Sequence, residues 1–133
     1  MESKLNILLI DDDVKTLELL KRDLNELGLA KNIYTAINGD EANIEYNKIL
    51  RSNEKVDIIF SDIVMPVCNG IEFLEKFRDK FDPDNLIPII MLTSKSDKTL
   101  VLKTISFGVN HYLLKPWTQQ SLMQKIMLVL ADK

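Results

Sequence analysis

Five polar side chains in this sequence stand where runs of apolar residues end. Asp11 and Asp12 follow the first run, Asp62 follows the third, Thr93 the fourth and Lys115 the fifth. Three carboxylates held close together would either raise one another's pKa or recruit a counter-ion, and oxygen ligands with room for water suit Mg²⁺. A carboxylate can also attack a phosphoryl group, while a hydroxyl and an ammonium neutralise the phosphate oxygens. These residue types predict Mg²⁺-assisted phosphoryl chemistry, provided that the fold brings them together.

The elements that would position these residues are short apolar runs alternating with segments of helical periodicity. The runs lie at 5–10, 33–37, 56–61, 88–92 and 111–114, and the helical segments at 14–27, 40–51, 70–81, 97–107 and 118–132. Nearly continuous apolar runs are typical of strands buried on both faces of a parallel sheet. The pattern predicts one doubly wound α/β domain of the (βα)₅ type over residues 1–133. In such sheets ligands bind beyond the carboxyl ends of the strands, where the polar residues stand.

Composition and charge exclude several classes of protein. The chain has 133 residues, of which 46% are apolar and 28% charged, which suits a single domain with a real core. Its formal charge is −3 and its lysines are scattered among acids, so direct nucleic-acid binding is not expected. The apolar runs are too short to span a membrane and no signal peptide is evident, so we predict a cytoplasmic protein. The single cysteine, Cys68, is interpreted as a loop thiol.

The sequence resembles the receiver domain of two-component response regulators along nearly its whole length. The matching strings are ILLIDDD at 7–13, NGDEA at 38–42, DIIFSDIVMP at 57–66 with Gly70, IIMLTS at 89–94 and YLLKPW at 112–117. Each string alone is weakly specific, but five in this order on successive predicted strands are highly specific together. The resemblance implies a flavodoxin-like three-layer sandwich whose five-stranded parallel sheet has the order 2-1-3-4-5.

The same resemblance assigns roles to the acidic residues. It implies that Asp62 is the phosphoacceptor and that Asp11 and Asp12 are the acid pair. The Mg²⁺ ion would be bound by Asp12, Asp62 and the backbone carbonyl of Val64, with Asp11 acting mainly through water. The chain is therefore expected to be a signalling domain, not an enzyme, whose only chemistry is self-phosphorylation from a donor and slow self-dephosphorylation.

The resemblance also implies a switch and a set of partners. Thr93 would be the switch hydroxyl, Lys115 the cation on the phosphate, and Tyr112 the aromatic residue that turns inward when Thr93 moves. A sensor histidine kinase or a histidine phosphotransfer protein would donate the phosphoryl group. A downstream effector or a second receiver would dock on the face formed by the fourth helix, the fifth strand and the fifth helix. The last helix has an apolar arc of roughly 160°, wider than the arc of about 100° that a surface helix buries, which indicates either docking there or a wide core contact at a sheet edge.

Less specific interpretations remain open for single residues and for the whole chain. Asp13 is predicted to cap the first helix, and His111, the only histidine, is interpreted as a structural or surface residue. The strongest rival function is a phosphatase of the haloacid-dehalogenase type, but Lys15 stands where that motif requires Thr or Val. The other rivals are a receiver that only binds proteins and a flavodoxin-like cofactor binder. A covalent phosphoryl adduct on Asp62 would distinguish a working receiver from these last two.

Overall fold

A computed structural model of the chain describes residues 4–64, 70–84, 86–105 and 108–131, in which strands and α-helices alternate. In chain order the elements are β1 (Leu5–Ile10), α1 (Val14–Glu26), β2 (Ala30–Ala36), α2 (Gly39–Arg51), β3 (Ile58–Asp62), α3 (Gly70–Phe81), β4 (Ile89–Thr93), α4 (Lys98–Thr104), β5 (His111–Leu114) and α5 (Gln119–Ala131). The strands form one sheet of order β2-β1-β3-β4-β5, and every neighbouring pair is parallel. The predicted fold class and strand order are confirmed.

The central strands are apolar throughout because both faces of the sheet are covered. Alternate residues of a strand point to opposite faces. Accordingly, Ile7 and Leu9 of β1 join the core on the α1 and α5 side, whereas Leu8 and Ile10 join the core on the α2 and α3 side. Both cores consist of buried aliphatic and aromatic side chains, and the sheet between them is the rigid platform that carries the polar residues at its carboxyl edge.

The first helix begins and ends at the residues that its sequence indicates. The Asp13 carboxylate accepts hydrogen bonds from the Lys15 backbone N–H at 3.0 Å and from the Thr16 hydroxyl at 3.0 Å, as expected of an N-cap. Beyond the end of α1, Gly28 adopts a φ of +72°, a conformation that side chains disfavour. The predicted cap at Asp13 and the predicted stop near Gly28 are confirmed.

Several element boundaries differ from the sequence prediction for identifiable reasons. Strand β4 begins at Ile89 because Pro88 has no N–H to donate to a ladder. Strand β3 begins at Ile58, since the Asp57 carboxylate accepts the Asn6 N–H at 2.8 Å in place of a ladder carbonyl. Strand β2 starts earlier than predicted, at Ala30. Helix α4 is described to Thr104, and positions 106–107, like 132, lie outside the described residues.

Among the described residues, no helix is both long enough and apolar enough to cross a membrane. The motif positions 65 and 66 lie outside the described part of the chain, as does Cys68, which the sequence analysis interprets as a loop thiol.

Candidate functional site

The register of β1 and β3 brings two carboxylates to the same height on the sheet. Ile10 of β1 lies opposite Ser61 of β3, so the residues that follow them, Asp11 and Asp62, end adjacent strands side by side. Neighbouring strands are about 4.8 Å apart, so carboxylates placed in this way must be close together. The pairing of these two strands, which the predicted strand order 2-1-3-4-5 requires, creates the acidic pocket.

Three carboxylates form one cluster at this edge. Oxygen atoms of Asp11, Asp12 and Asp62 all lie within 4.8 Å of one another. Asp11 is fully buried and Asp62 is 8% exposed, whereas Asp12 faces solvent. The Asp13 backbone N–H donates to Asp11 Oδ1 at 2.9 Å and fixes the orientation of that carboxylate. An all-oxygen set with one solvent-facing member suits a hard divalent cation that keeps some of its water.

Lys115 enters the same pocket from the end of β5. Its Nζ lies 3.1 Å from Asp11 Oδ2 and 3.3 Å from Asp62 Oδ1. Its backbone N–H donates to the Thr93 carbonyl at 2.7 Å, which ties the start of the β5–α5 loop to the end of β4. The Lys115–Pro116 bond is cis. One ammonium therefore contacts two of the three carboxylates.

Burial and mutual repulsion raise the pKa values of two of the pocket acids, Asp11 and Asp62. Burial and then the neighbouring Asp11 charge raise the pKa of Asp62 from 3.8 to about 6, although Lys115 and the Val64 N–H oppose the shift. Burial also raises the pKa of Asp11, against hydrogen bonds from the Asp13 N–H and Lys115. Burial alone would lower the pKa of Lys115, but the two carboxylates outweigh it and the pKa lies above its ordinary value. The pocket thus carries negative charge that a cation would relieve.

The remaining predicted site residues lie around this cluster. The Val64 N–H points toward Asp62 Oδ1 at 3.5 Å, and the role of the Val64 carbonyl as a metal ligand stays a prediction. Thr93 is buried at the end of β4, and Tyr112 is half-buried on β5, where its hydroxyl lies 2.7 Å from Thr104 Oγ1 on α4. Thr93 and Tyr112 line one groove of about 660 Å³ between α4 and β5. His111, also on β5, is half-buried.

Two buried polar groups had no place in the sequence interpretation. Arg78 of α3 pairs with Asp82 and donates to the carbonyls of Ile87 at 2.7 Å and Gly108 at 2.6 Å, which joins the end of α3 to the segment before β5. Asp23 of α1 is 4% exposed. A signal for Asp23 did exist, because it lies three residues after Leu20 on the apolar stripe of α1, where an acid is unexpected.

The family comparison agrees with this geometry. A sequence model of the family described as the response regulator receiver domain matches residues 7–127. The chain belongs to this family. A chemotaxis protein CheY homolog of Campylobacter jejuni is 32% identical over 127 residues, covering 96% of this chain and 93% of the relative.

Solved structures agree as well. The chemotaxis response regulator CheY4 of Vibrio cholerae superposes with a TM-score of 0.79 at 25% identity, covering 96% of this chain and 99% of that one. CheY in the CheX-CheY-BeF3-Mg+2 complex of Borrelia burgdorferi gives a TM-score of 0.81 at 28% identity, covering 95% of this chain and 89% of that one. The receiver is therefore a CheY-like phosphoacceptor domain of two-component signalling. This membership favours signalling over catalysis and sets aside the dehalogenase-type and cofactor-binding interpretations.

Proposed function

We propose that this receiver accepts a phosphoryl group on Asp62, in a Mg²⁺-dependent reaction with a phosphorylated histidine of a kinase or phosphotransfer protein. The observation that carries the proposal is the placement of the Asp62 carboxylate. It ends β3 inside a cluster with Asp11 and Asp12, 3.3 Å from the Lys115 ammonium. Nucleophile, metal ligands and phosphate-binding cation thus converge on one point at the edge of the sheet.

The acidic cluster fits the metal that the family uses. In the proposal, Asp12, Asp62 and the Val64 carbonyl bind Mg²⁺, and Asp11 acts mainly through water. The solvent-facing position of Asp12 supports this assignment, because Mg²⁺ sites keep several waters beside one or two carboxylates. When bound, the ion would neutralise charge on the carboxylates and on the incoming phosphoryl group.

The protein groups have separate tasks in the transfer. An ionised Asp62 oxygen forms the new bond to phosphorus while the bond between phosphorus and the donor nitrogen breaks. The electron pair of the broken bond stays on that nitrogen. With a pKa of about 6, Asp62 is mostly ionised at neutral pH and available as a nucleophile. The Lys115 ammonium would shift from carboxylate to phosphoryl oxygens, and the Thr93 hydroxyl would donate to another of them.

The proposed output surface is the face formed by α4, β5 and α5, next to Tyr112. Leu102, which is 69% exposed, and Leu114, which is 47% exposed, line one groove there, and Met127 of α5 is 57% exposed. Apolar surface concentrated in one place commonly marks a protein interaction site. We propose that an effector or a second receiver binds this face after Thr93 and Tyr112 move, and that direct contact with nucleic acid or membrane is not part of the function. We also propose that the protein is cytoplasmic and that residues 1–133 form one domain.

Intact-mass analysis after treatment with a small phosphodonor tests the central claim. Wild type should gain one phosphoryl group with Mg²⁺ and none without it, and Asp62→Asn should gain none. Asp57→Asn is the matched control, because its carboxylate precedes the opposite end of β3 and should not affect the reaction. A stable adduct on His111 would overturn the assignment. A folded wild type with no adduct would favour a receiver that only binds proteins.

A further inference from the structure

A buried carboxylate connects the first helix to the loop that follows Lys115. Asp23 of α1 is 4% exposed, and its Oδ2 accepts a hydrogen bond from Trp117 Nε1 at 2.8 Å. Its Oδ1 accepts from Gln119 Nε2 at 3.0 Å and from Arg22 Nη2 at 3.1 Å. Asp23 therefore contacts the β5–α5 loop, the start of α5 and its own helix at once.

These hydrogen bonds satisfy both sides of the contact. The half-buried Trp117 indole gains an acceptor for its N–H, and the buried Asp23 carboxylate gains the donors that it needs to stay ionised. Burial by itself would raise the pKa of Asp23, but the hydrogen bonds from Trp117, Gln119 and Arg22 outweigh burial and hold that pKa below its usual value. The group is therefore a charged acceptor at working pH.

Packing alone does not explain an acid at this position. Asp23 lies on the same stripe as Leu20 and Leu24, which are fully buried, so an apolar side chain would fill the site without the cost of burying a charge. What a carboxylate adds is direction, because it fixes the donor that it binds at one place and angle. The donor that it fixes is Trp117, two residues beyond Lys115.

Lys115 must be placed accurately, and the backbone around it is held from two sides. On one side, the Lys115 backbone N–H is held by the Thr93 carbonyl at 2.7 Å. On the other side, Trp117 is held by Asp23 at 2.8 Å. The Lys115 side chain is long and flexible, so the position of its ammonium in the pocket depends on how well its backbone is fixed.

We propose that Asp23 is a positioning residue for phosphoryl transfer, which holds the β5–α5 loop through Trp117 and thereby aligns the Lys115 ammonium on Asp62. Asp23 touches neither phosphate nor metal. The inference rests on the proposed function, because it assigns a residue to the same reaction. It assigns the role to α1, an element that contributes none of the pocket's carboxylates, which come from the ends of β1 and β3.

Two substitutions remove the contact from opposite sides. Asp23→Leu removes the acceptor and preserves bulk, and Trp117→Phe removes the N–H donor and preserves an aromatic ring. Asp23→Asn is the conservative variant, since its amide oxygen can still accept from the indole. Asp57→Asn is the matched control, because that carboxylate accepts an N–H too, here from the Asn6 backbone at 2.8 Å, but lies beyond the opposite end of the sheet.

The test measures two quantities on the folded 133-residue chain below its unfolding temperature. One is the limiting rate of phosphorylation by a small phosphodonor at saturating Mg²⁺, followed by intact mass. The other is the Mg²⁺ dissociation constant from calorimetry. We expect Asp23→Leu and Trp117→Phe to slow phosphorylation roughly tenfold, since an error of about 1 Å in placing a catalytic group can cost about a hundredfold. Mg²⁺ affinity should stay within about twofold, because the Asp11, Asp12 and Asp62 oxygens are untouched.

The outcomes separate the possibilities. Rates in Asp23→Asn close to wild type, with slow Asp23→Leu, would support an acceptor that orients the loop. Phosphorylation rates in Asp23→Leu and Trp117→Phe that equal those of wild type and Asp57→Asn would overturn the inference and leave Asp23 as a purely structural group. Equal loss of Mg²⁺ affinity and rate would also overturn it, because the whole pocket would then depend on Asp23. A wild type that acquires no phosphoryl group would refute the proposed function itself.

Discussion

Replacing Asp62 with asparagine should stabilise the metal-free protein near neutral pH, and the gain should disappear in acid. The reason is the cost of holding a charged carboxylate in this pocket, where it is buried beside Asp11. Asparagine has nearly the same shape as the protonated acid but cannot ionise. The substitution therefore isolates the free energy of ionising one side chain in the folded state.

The magnitude follows from the shifted pKa. Folding raises the pKa of Asp62 from 3.8 to about 6, and each unit corresponds to about 1.4 kcal/mol, so the whole effect is about 3 kcal/mol. Because the pKa of Asp62 is higher in the folded state than in the unfolded state, the folded state binds more protons between pH 3.8 and about 6. The stability that protonated Asp62 contributes is fully present below pH 3.8 and is lost as the pH rises through about 6.

Urea unfolding of wild type and Asp62→Asn in the presence of a chelator measures this effect. With a slope of roughly 1–3 kcal/mol/M, the midpoint of the variant should be about 1–3 M higher at pH 7.5 and nearly equal to wild type at pH 4. Asp57→Asn should show no such gain. Mg²⁺ at a hundred times its dissociation constant should remove most of this difference in midpoint, since such a ligand stabilises wild type by about 2.7 kcal/mol. If the urea midpoints of Asp62→Asn and wild type differ by the same amount at pH 7.5 and pH 4, the argument that ionisation of Asp62 costs stability is refuted.

Three further results are expected. Mg²⁺ affinity should fall about tenfold per pH unit below about 6, as protons compete for Asp62, and a flat calorimetric profile would contradict this. Thr104→Val removes the hydroxyl 2.7 Å from the Tyr112 hydroxyl, so urea unfolding should show a loss of about 1 kcal/mol without a change in Mg²⁺ affinity. Combining Val64→Asn with Lys95→Ala should speed phosphate release from the phosphorylated protein, because we expect these exposed side chains, two residues after Asp62 and Thr93, to hinder the attacking water. Release no faster than in wild type would show that neither residue limits access.

The fold and the acidic pocket were predictable because their signals repeat along the sequence. Strands buried on both faces leave unbroken apolar runs, as in residues 7–10 and 89–92, and the residue after each run must lie at the carboxyl edge. Once β1 and β3 are known to be neighbours, the crowding of Asp11 and Asp62 follows from strand spacing alone. The raised pKa of Asp62 is therefore a consequence of topology that the sequence contains.

The contacts that hold the pocket in place were not predictable in the same way. The bond between Trp117 and Asp23 joins residues 94 positions apart, and neither residue belongs to a periodic pattern that includes the other. The double contact of Lys115 with Asp11 and Asp62 depends on a side-chain conformation, which strand spacing leaves open. Side-chain hydrogen bonds between distant elements depend on details of packing that exist only once the chain has folded.

The two sides of Lys115 are held with different strengths, and this difference suggests how the signal is directed. The Lys115 ammonium faces the buried carboxylates Asp11 and Asp62. A phosphoryl group on Asp62 would replace one carboxylate with oxygens carrying about two negative charges, so the ammonium must be drawn toward them. On the α1 side, charge-assisted hydrogen bonds to Asp23 resist movement of the loop.

On the α4 side the connection is weaker. There the Tyr112 hydroxyl is held by a neutral hydrogen bond to Thr104, of a kind that contributes only about 1 kcal/mol. Tyr112 and Thr93 also line an open groove, so a new position of either side chain meets little packed structure. We therefore expect rearrangement to pass from Asp62 through Thr93 and Tyr112 to the exposed apolar face, while α1 and the β5–α5 loop remain the fixed reference against which the pocket reorganises.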